Sequence, residues 1–232
     1  MTEDNTDSPM LGSPAPEAPR RSVGRPPKFT ADDAVRSVIR LGIADFTMSE
    51  VARELNVTAP ALYRFFPGRT DLADACFRYI MAEVPVPEPD PTASWREILG
   101  ETAEYSWHLL TRYPGLDRVF NSYPGLLREV WPGNVFLHER LAPLGYSLPQ
   151  ATFAAIHISA LTVAATTRLQ RRRAEFTRPA DATPPPRRFQ ASGVEITDLD
   201  ALTEASYRHW KQCIDLFLDR LAVLDPDWPE QT

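Results

Sequence analysis

Apolar residues fall at helical spacing along most of this chain, and clusters of Pro and Gly cut the pattern into segments. The first segment carries Ala34, Val35, Val38, Ile39 and Leu41 between a Thr30–Asp33 capping box and Gly42, which predicts one helix. From Phe46 to Leu72 the segments shorten. Thr47 and Glu50 make a second capping box, Val51, Ala52 and Leu55 give a narrow stripe, and Asn56 tolerates the left-handed backbone that ends a short helix. Thr58 then caps another short helix with Pro60 in its first turn, and Leu62 with Phe65 or Phe66 points back toward the first. Two short helices joined by a tight turn form a helix-turn-helix. The Thr30-capped helix is expected to pack across that pair, sharing a core with Phe46 and Leu62. A fourth, from about Arg69 to Glu83, is expected to bury Leu72, Cys76, Tyr79 and Ile80.

Pro85, Pro87, Pro89 and Pro91 exclude a helix and predict an extended connector, hence a domain boundary. Beyond it, Ser94 and Glu97 open a long helix with Trp95, Ile98, Leu99, Leu109, Leu110 and Tyr113 at helical spacing. Pro and Gly break 114–133 into short helices around 116–121 and 126–130, followed by one from about Asn134 to Leu144. Ser147 and Gln150 form a further capping box for a helix to Arg173, and its alanines permit close approach by another helix. Residues 174–196 are polar and Pro-rich, which predicts a long loop without strands. Thr197 and Asp200 cap a final helix to about Leu224 that is apolar on more than one face and so needs two partners. The predicted fold is all-α, an N-terminal three-helix helix-turn-helix unit followed by a larger helical bundle.

A net charge of −6 over 232 residues argues against nucleic acid until the cations are located. Residues 1–28 combine a Pro-rich acidic stretch, expected to be disordered, with the run Arg20 to Lys28, which holds four cations and no anion. Arg25, between Gly24 and Pro26, suits a minor groove; a solvated basic tail is the plainer alternative. Cys76 and Cys213 lie in helical apolar patterns without metal-ligand spacing, so buried reduced thiols are expected, with a redox sensor as the sharper reading. No signal-peptide pattern and no apolar run near the roughly 20 residues of a bilayer span is present, so a cytoplasmic protein without a membrane partner is expected.

Thr47, Val51, Ala52, Leu55, Val57, Pro60, Leu62, Tyr63, Phe66, Pro67 and Leu72 together resemble the TetR family of bacterial transcriptional regulators. The likeness covers the N-terminal quarter. It departs at Asn56, where Gly is usual, at Phe65, where His is common, and at Arg69, where Lys is usual. The resemblance implies a helix-turn-helix domain with its linking helix at 29–84, followed at 92–228 by a ligand-binding and dimerisation domain. It also implies a homodimer on a palindromic double-stranded DNA operator, most simply a repressor, released by a small apolar or aromatic effector. By the same likeness Thr47, Tyr63 and Arg69 contact phosphates. The outward face of the recognition helix offers Thr58, Ala59, Pro60, Ala61 and Arg64 to bases, and of these Arg64 alone can make a bidentate contact to guanine.

The helices 148–173 and 199–224 are the expected dimer bundle, with ordinary core helices as the alternative. Arg171, Arg172 and Arg173 suit a last helical turn, where the macrodipole favours cations. Trp107, His108, Phe120, Trp131, Phe153 and His157 are candidate effector contacts, although each aromatic could equally be plain core. No cofactor or metal is expected, and no phosphate loop, nucleophile elbow or carboxylate pair supports an enzyme. An activator or a ligand-independent architectural DNA-binding protein remains compatible with the same residues.

Overall fold

The computed structural model describes residues 29–87, 90–122, 133–179, 190–191, 194–196 and 198–224. Expectations for the tail and arm at 1–28, for a helix near 126–130 and for Thr197 lie outside them. Nine α-helices are described: α1 (Ala31–Leu41), α2 (Met48–Glu54), α3 (Ala59–Tyr63), α4 (Arg69–Glu83), α5 (Trp95–Arg112), α6 (Leu116–Ser122), α7 (Gly133–Leu141), α8 (Leu148–Phe176) and α9 (Leu199–Leu224). The 3-10 turn Ala142–Leu144 extends α7.

The four capping boxes begin α1, α2, α5 and α8: the Thr30, Thr47, Ser94 and Ser147 side chains each accept from the amide three residues on. Two local expectations change. α8 continues past Arg173 to Phe176, and Gln190–Ala191 pairs antiparallel with Val194–Glu195, a two-residue hairpin inside the expected loop. At the start of α9 it is Asp198 that accepts from the Ala201 amide, at 2.7 Å.

Two cores organise the helices. The first gathers Val35 and Val38 of α1, Val51 of α2, Leu62 after the turn, and Leu72, Phe77 and Ile80 of α4 around Phe46. Phe77 takes the fully buried place expected for Tyr79, which is only partly buried against this core. Leu109, Leu110 and Tyr113 from the end of α5, with Leu116 and Val119 of α6, belong to the same core. The boundary seen in the prolines therefore divides the chain, but not the packing. Tyr105 of α5 adds a clamp by donating to the Val84 carbonyl at the end of α4, at 2.8 Å. The second core lies among α5, α7, α8 and α9 and is centred on Leu99, Leu137, Ile158, Trp210 and Ile214. Cys76 is buried in the first core, and burial pushes its thiol up to about 12, so no reactive thiolate forms at neutral pH.

Candidate nucleic-acid interface and effector domain

The turn between α2 and α3 is built as its sequence requires. Asn56 has φ 53°, the one non-Gly residue with positive φ among the described residues, and this lets the Val57 amide reach back to the Ala52 carbonyl at 2.9 Å. α3 is then fixed from behind, because Leu62 is fully buried and Phe66 nearly so. Thr58, Pro60, Tyr63 and Arg64 face outward. Ala59 and Ala61, expected on that face, are instead half-buried and pack against the first core, which leaves them a marginal part of a base-reading surface. Thr58 stands at the N-cap of α3 without making the side-chain bond of a cap.

Thr47 and Arg69 both hold partners within the chain. The Thr47 hydroxyl accepts from the Glu50 amide at 3.2 Å and donates to the Glu50 carboxylate at 2.8 Å. The bond from the hydroxyl and a second from the Thr47 amide, at 2.9 Å, hold the Glu50 carboxyl below its ordinary range. Arg69 spreads its guanidinium 4.8 Å from the Phe46 ring centre and donates from Nε to the Phe46 carbonyl at 3.0 Å and from Nη2 to the Ala44 carbonyl at 2.5 Å. Two carbonyls and a π face are the partners a delocalised, forked cation satisfies best. Arg69 thus ties the α1–α2 loop to α4, a structural role the sequence did not show beside the phosphate contact expected of it.

A joint to the C-terminal bundle lies beside this loop and was missed in the sequence. Gly115 adopts φ +91°, and a Cβ there would stand 2.8 Å from the Ala44 Cβ, so only Gly allows α6 to start so close. Arg118, one turn into α6, grips the Asp45 carboxylate through two bonds of 2.9 and 2.7 Å. Pro114-Gly115 read only as a helix break, because nothing local in a sequence names the loop it will touch.

The effector candidates divide. Trp107 is 3% exposed, stacked 4.8 Å from Trp210 with Tyr207 against its edge, and is filled core. Phe153 is partly buried beside His157, whose ring lies 5.6 Å from Phe217 of α9 and whose Nδ1 pairs with the Phe153 carbonyl at 2.8 Å. His108 does not share this interior: it points to solvent, with its Nε2 4.0 Å from Glu104. The Phe120 side chain, Trp131 and Arg25 lie outside the described residues. Two polar groups were not expected. Gln170 Nε2 and Arg173 Nε, one turn apart on α8, are buried donors with no acceptor among the described residues, while Arg173 Nη2 donates to Thr203 at 2.8 Å. Their helix reaches α6 at Thr167, whose hydroxyl donates to Asp117 at 3.1 Å. Among the described residues no cluster of His, Cys, Asp or Glu could hold a metal.

Residues 32–76 match the family model of bacterial regulatory proteins, tetR family. Over 150 residues the chain is 29% identical to the HTH-type transcriptional repressor DrrR1 of Streptomyces coeruleorubidus, which covers 63% of this chain and 56% of that repressor. The chain thus spans little more than half the length of that relative. Among solved structures, a possible TetR family transcriptional regulator from Streptomyces coelicolor A3(2) is 21% identical with a TM-score of 0.59, over 84% of this chain and 100% of the other. The TetR family protein ActR of Streptomyces coelicolor, in complex with (S)-DNPA, is 20% identical with a TM-score of 0.51, over 84% and 98%. At those identities the structural likeness establishes the fold.

Proposed function

We propose that this chain, whose residues 32–76 match the tetR family of bacterial regulatory proteins, is a homodimeric transcriptional repressor of a palindromic operator, released when a small molecule enters its C-terminal bundle. The observation that carries the reading is the outward face of α3. Thr58, Pro60, Tyr63 and Arg64 stand on a helix locked from behind by Leu62 and Phe66, a rigid probe of the width a major groove admits. One such helix reads few base pairs, so a twofold pair about 34–36 Å apart supplies the specificity. A cytoplasmic location follows from the DNA partner.

The surfaces of α8 and α9 support the second copy. Ile156, Ala160 and Ala164 lie four residues apart on an exposed stripe of α8, and Leu216 is exposed on α9. For the effector, the fold neighbour ActR is a protein in complex with a small molecule. Here the buried donors on Gln170 and Arg173 fit an apolar or aromatic effector that also presents an oxygen acceptor. Release needs only that the effector prefer one arrangement of α6, which touches the α1–α2 loop at Gly115 and Arg118 and meets α8 at Asp117. One observation favours a ligand-independent DNA-binding protein: the aromatic cluster around Trp107 is closed by Trp210 and Tyr207.

Selection of bound fragments from random duplex DNA tests the proposal. The expected winner is a palindrome with half-sites about one helical turn apart. Arg64→Ala should lose about 1–3 kcal/mol of discrimination at one base position of each half-site, read by competition against single-base variants. Equal loss on the selected site and on random DNA would remove Arg64 from base reading. Binding without a consensus would favour the architectural reading, and a consensus unaffected by any ligand screened would favour the ligand-independent one.

A further inference from the structure

We infer that Gln170 and Arg173 form an anion-binding subsite near the end of α8, and that the effector is an amphipathic organic carboxylate; this rests on the function proposed above and names the chemistry of its ligand. Gln170 Nε2 and Arg173 Nε are buried donors one turn apart, with no acceptor among the described residues. Both residues as a whole are only partly buried, so the pair lies at the rim of the bundle, where a ligand reaches it without opening the second core. Arg173 Nη2 donates to the Thr203 hydroxyl at 2.8 Å, and that hydroxyl donates onward to the Leu199 carbonyl at 2.7 Å. A neutral hydroxyl satisfies one donor of the guanidinium and none of its charge.

Charge narrows the acceptor to an anion. Residues 167–178 hold five Arg and one acid, Glu175, which is bonded to Arg178 at 3.3 Å. Across the helix pair, Glu204 of α9 is engaged with Arg208 at 3.5 Å. Among the described residues no carboxylate forms an ion pair with Arg173. The macrodipole explains why arginines gather in the last turns of a helix, but it does not satisfy a buried N–H. A carboxylate answers both needs: its two oxygens can accept from Arg173 Nε and Gln170 Nε2, and its charge neutralises the guanidinium.

The rest of the ligand follows from the neighbouring turn. α8 and α9 run antiparallel, with Trp210 bonded to Thr162 and Arg173 to Thr203. The same register sets Phe176 opposite Leu199, one turn beyond the Arg173–Thr203 bond. Phe176 is partly buried against the second core and Leu199 is 37% exposed, so a short apolar surface adjoins the donors. A carboxylate head with a compact apolar body matches both halves. Thr167, one turn before Gln170, holds Asp117 of α6, and Arg118 beside it grips Asp45 of the α1–α2 loop. A carboxylate seated on Gln170 sets a second negative charge about one helical pitch, ~5 Å, from the hydroxyl that holds Asp117. Repulsion between the two favours an arrangement with α6 displaced, which is the differential affinity that release requires.

The test uses the full chain with benzoate, phenylacetate and 1-naphthoate, each beside its uncharged amide, and reads binding by calorimetry. At least one acid should bind while its amide does not. Arg173→Gln should weaken that binding roughly 10- to 100-fold, and Arg173→Lys should recover part of it, because the charge returns without the fork. Gln170→Glu supplies a carboxylate from within the chain, so it should abolish binding of the added acids and raise the melting temperature of the ligand-free protein. Arg173→Met should melt no lower than wild type, since it removes a cation that no carboxylate neutralises. A clear drop would make Arg173 an ordinary structural residue and overturn the subsite. Equal affinity for acid and amide, binding by none of the acids, or binding unchanged in Arg173→Gln would overturn it too. Operator affinity, measured on the palindrome recovered by selection, separates this proposal from the function beneath it. Arg173-dependent acid binding that leaves operator affinity unchanged would keep the subsite and sink its effector role, whereas release by the amides, indifferent to Arg173, would keep the repressor and sink the carboxylate.

Discussion

The α1–α4 unit and the α8–α9 pair treat their apolar residues in opposite ways. In the first, the stripes of α1, α2 and α4 close on one another, and the large apolar residues left showing are Leu41, Tyr63 and Phe65, two of them at the end of α3. In the second, α8 turns Thr162 and Thr166 into the core, where Thr162 accepts from the Trp210 indole at 3.1 Å, and shows Ile156 outward at 57% exposure. Leu216 of α9 is 62% exposed. By length and composition alone α8 could cross a membrane, yet it is wedged against α5, α7 and α9. A unit whose exposed apolar residues gather at one helix end is finished as a fold and keeps those residues for contact. A helix pair already packed on one side that still shows large apolar residues, Ile156 and Leu216, on the other leaves a surface suited to contact.

The sharpest way to break that contrast is to charge the α8 stripe. Ala160→Arg would place an unpaired cation where a second copy is expected to pack, a cost of roughly 3–5 kcal/mol and so more than a hundredfold in dimer affinity. Light scattering should then report a monomer with its helix content intact, and binding to the selected palindrome should fall with it. A persistent dimer would show that another face joins the copies. The corresponding change in the finished unit acts on folding. Leu62→Ala empties a fully buried place behind α3 and should cost about 2–5 kcal/mol of stability, lowering the denaturation midpoint. If the unfolding transition does not move, Leu62 is not the brace the packing implies.

What could be read in advance follows the range of the forces involved. Capping boxes and the left-handed turn at Asn56 are set by residues within five positions, and the chain shows them where those residues stand. The face of α3 was only half legible. Periodicity over five residues cannot separate Ala59 and Ala61, tucked against the core, from Pro60 beside them. Long-range partners were invisible: Arg69 reaches back to Ala44 and Phe46, and Arg118 reaches Asp45, across 25 and 73 positions. His108 illustrates the converse error. Neighbouring aromatics in a sequence were gathered into one interior, but the buried face of α5 takes Trp107, Leu109 and Leu110 and leaves His108 in solvent.

The smallest expected effect sharpens the comparison through pH. Asp33, Glu50 and Glu97 close three of the capping boxes, and hydrogen bonds from Thr30, Thr47 and Ser94 hold each carboxyl below its ordinary value of 3.8 or 4.5. A carboxyl depressed on folding contributes stability that is present above its ordinary value and is lost as pH falls through the folded one. The fourth box, at α8, closes with the amide of Gln150, which does not titrate. Acid should therefore weaken the starts of α1, α2 and α5 while leaving that of α8 alone. Glu50→Gln keeps a capping side chain at α2 without the charge. Thermal melts should find this variant slightly less stable than wild type at pH 7, with the gap closing as pH drops below about 4.5, where the wild-type carboxyl takes up its proton. A gap that stays constant down to pH 3 would mean that the Thr47–Glu50 box contributes through shape alone, and the acid sensitivity of the α1–α4 unit would then have to come from elsewhere.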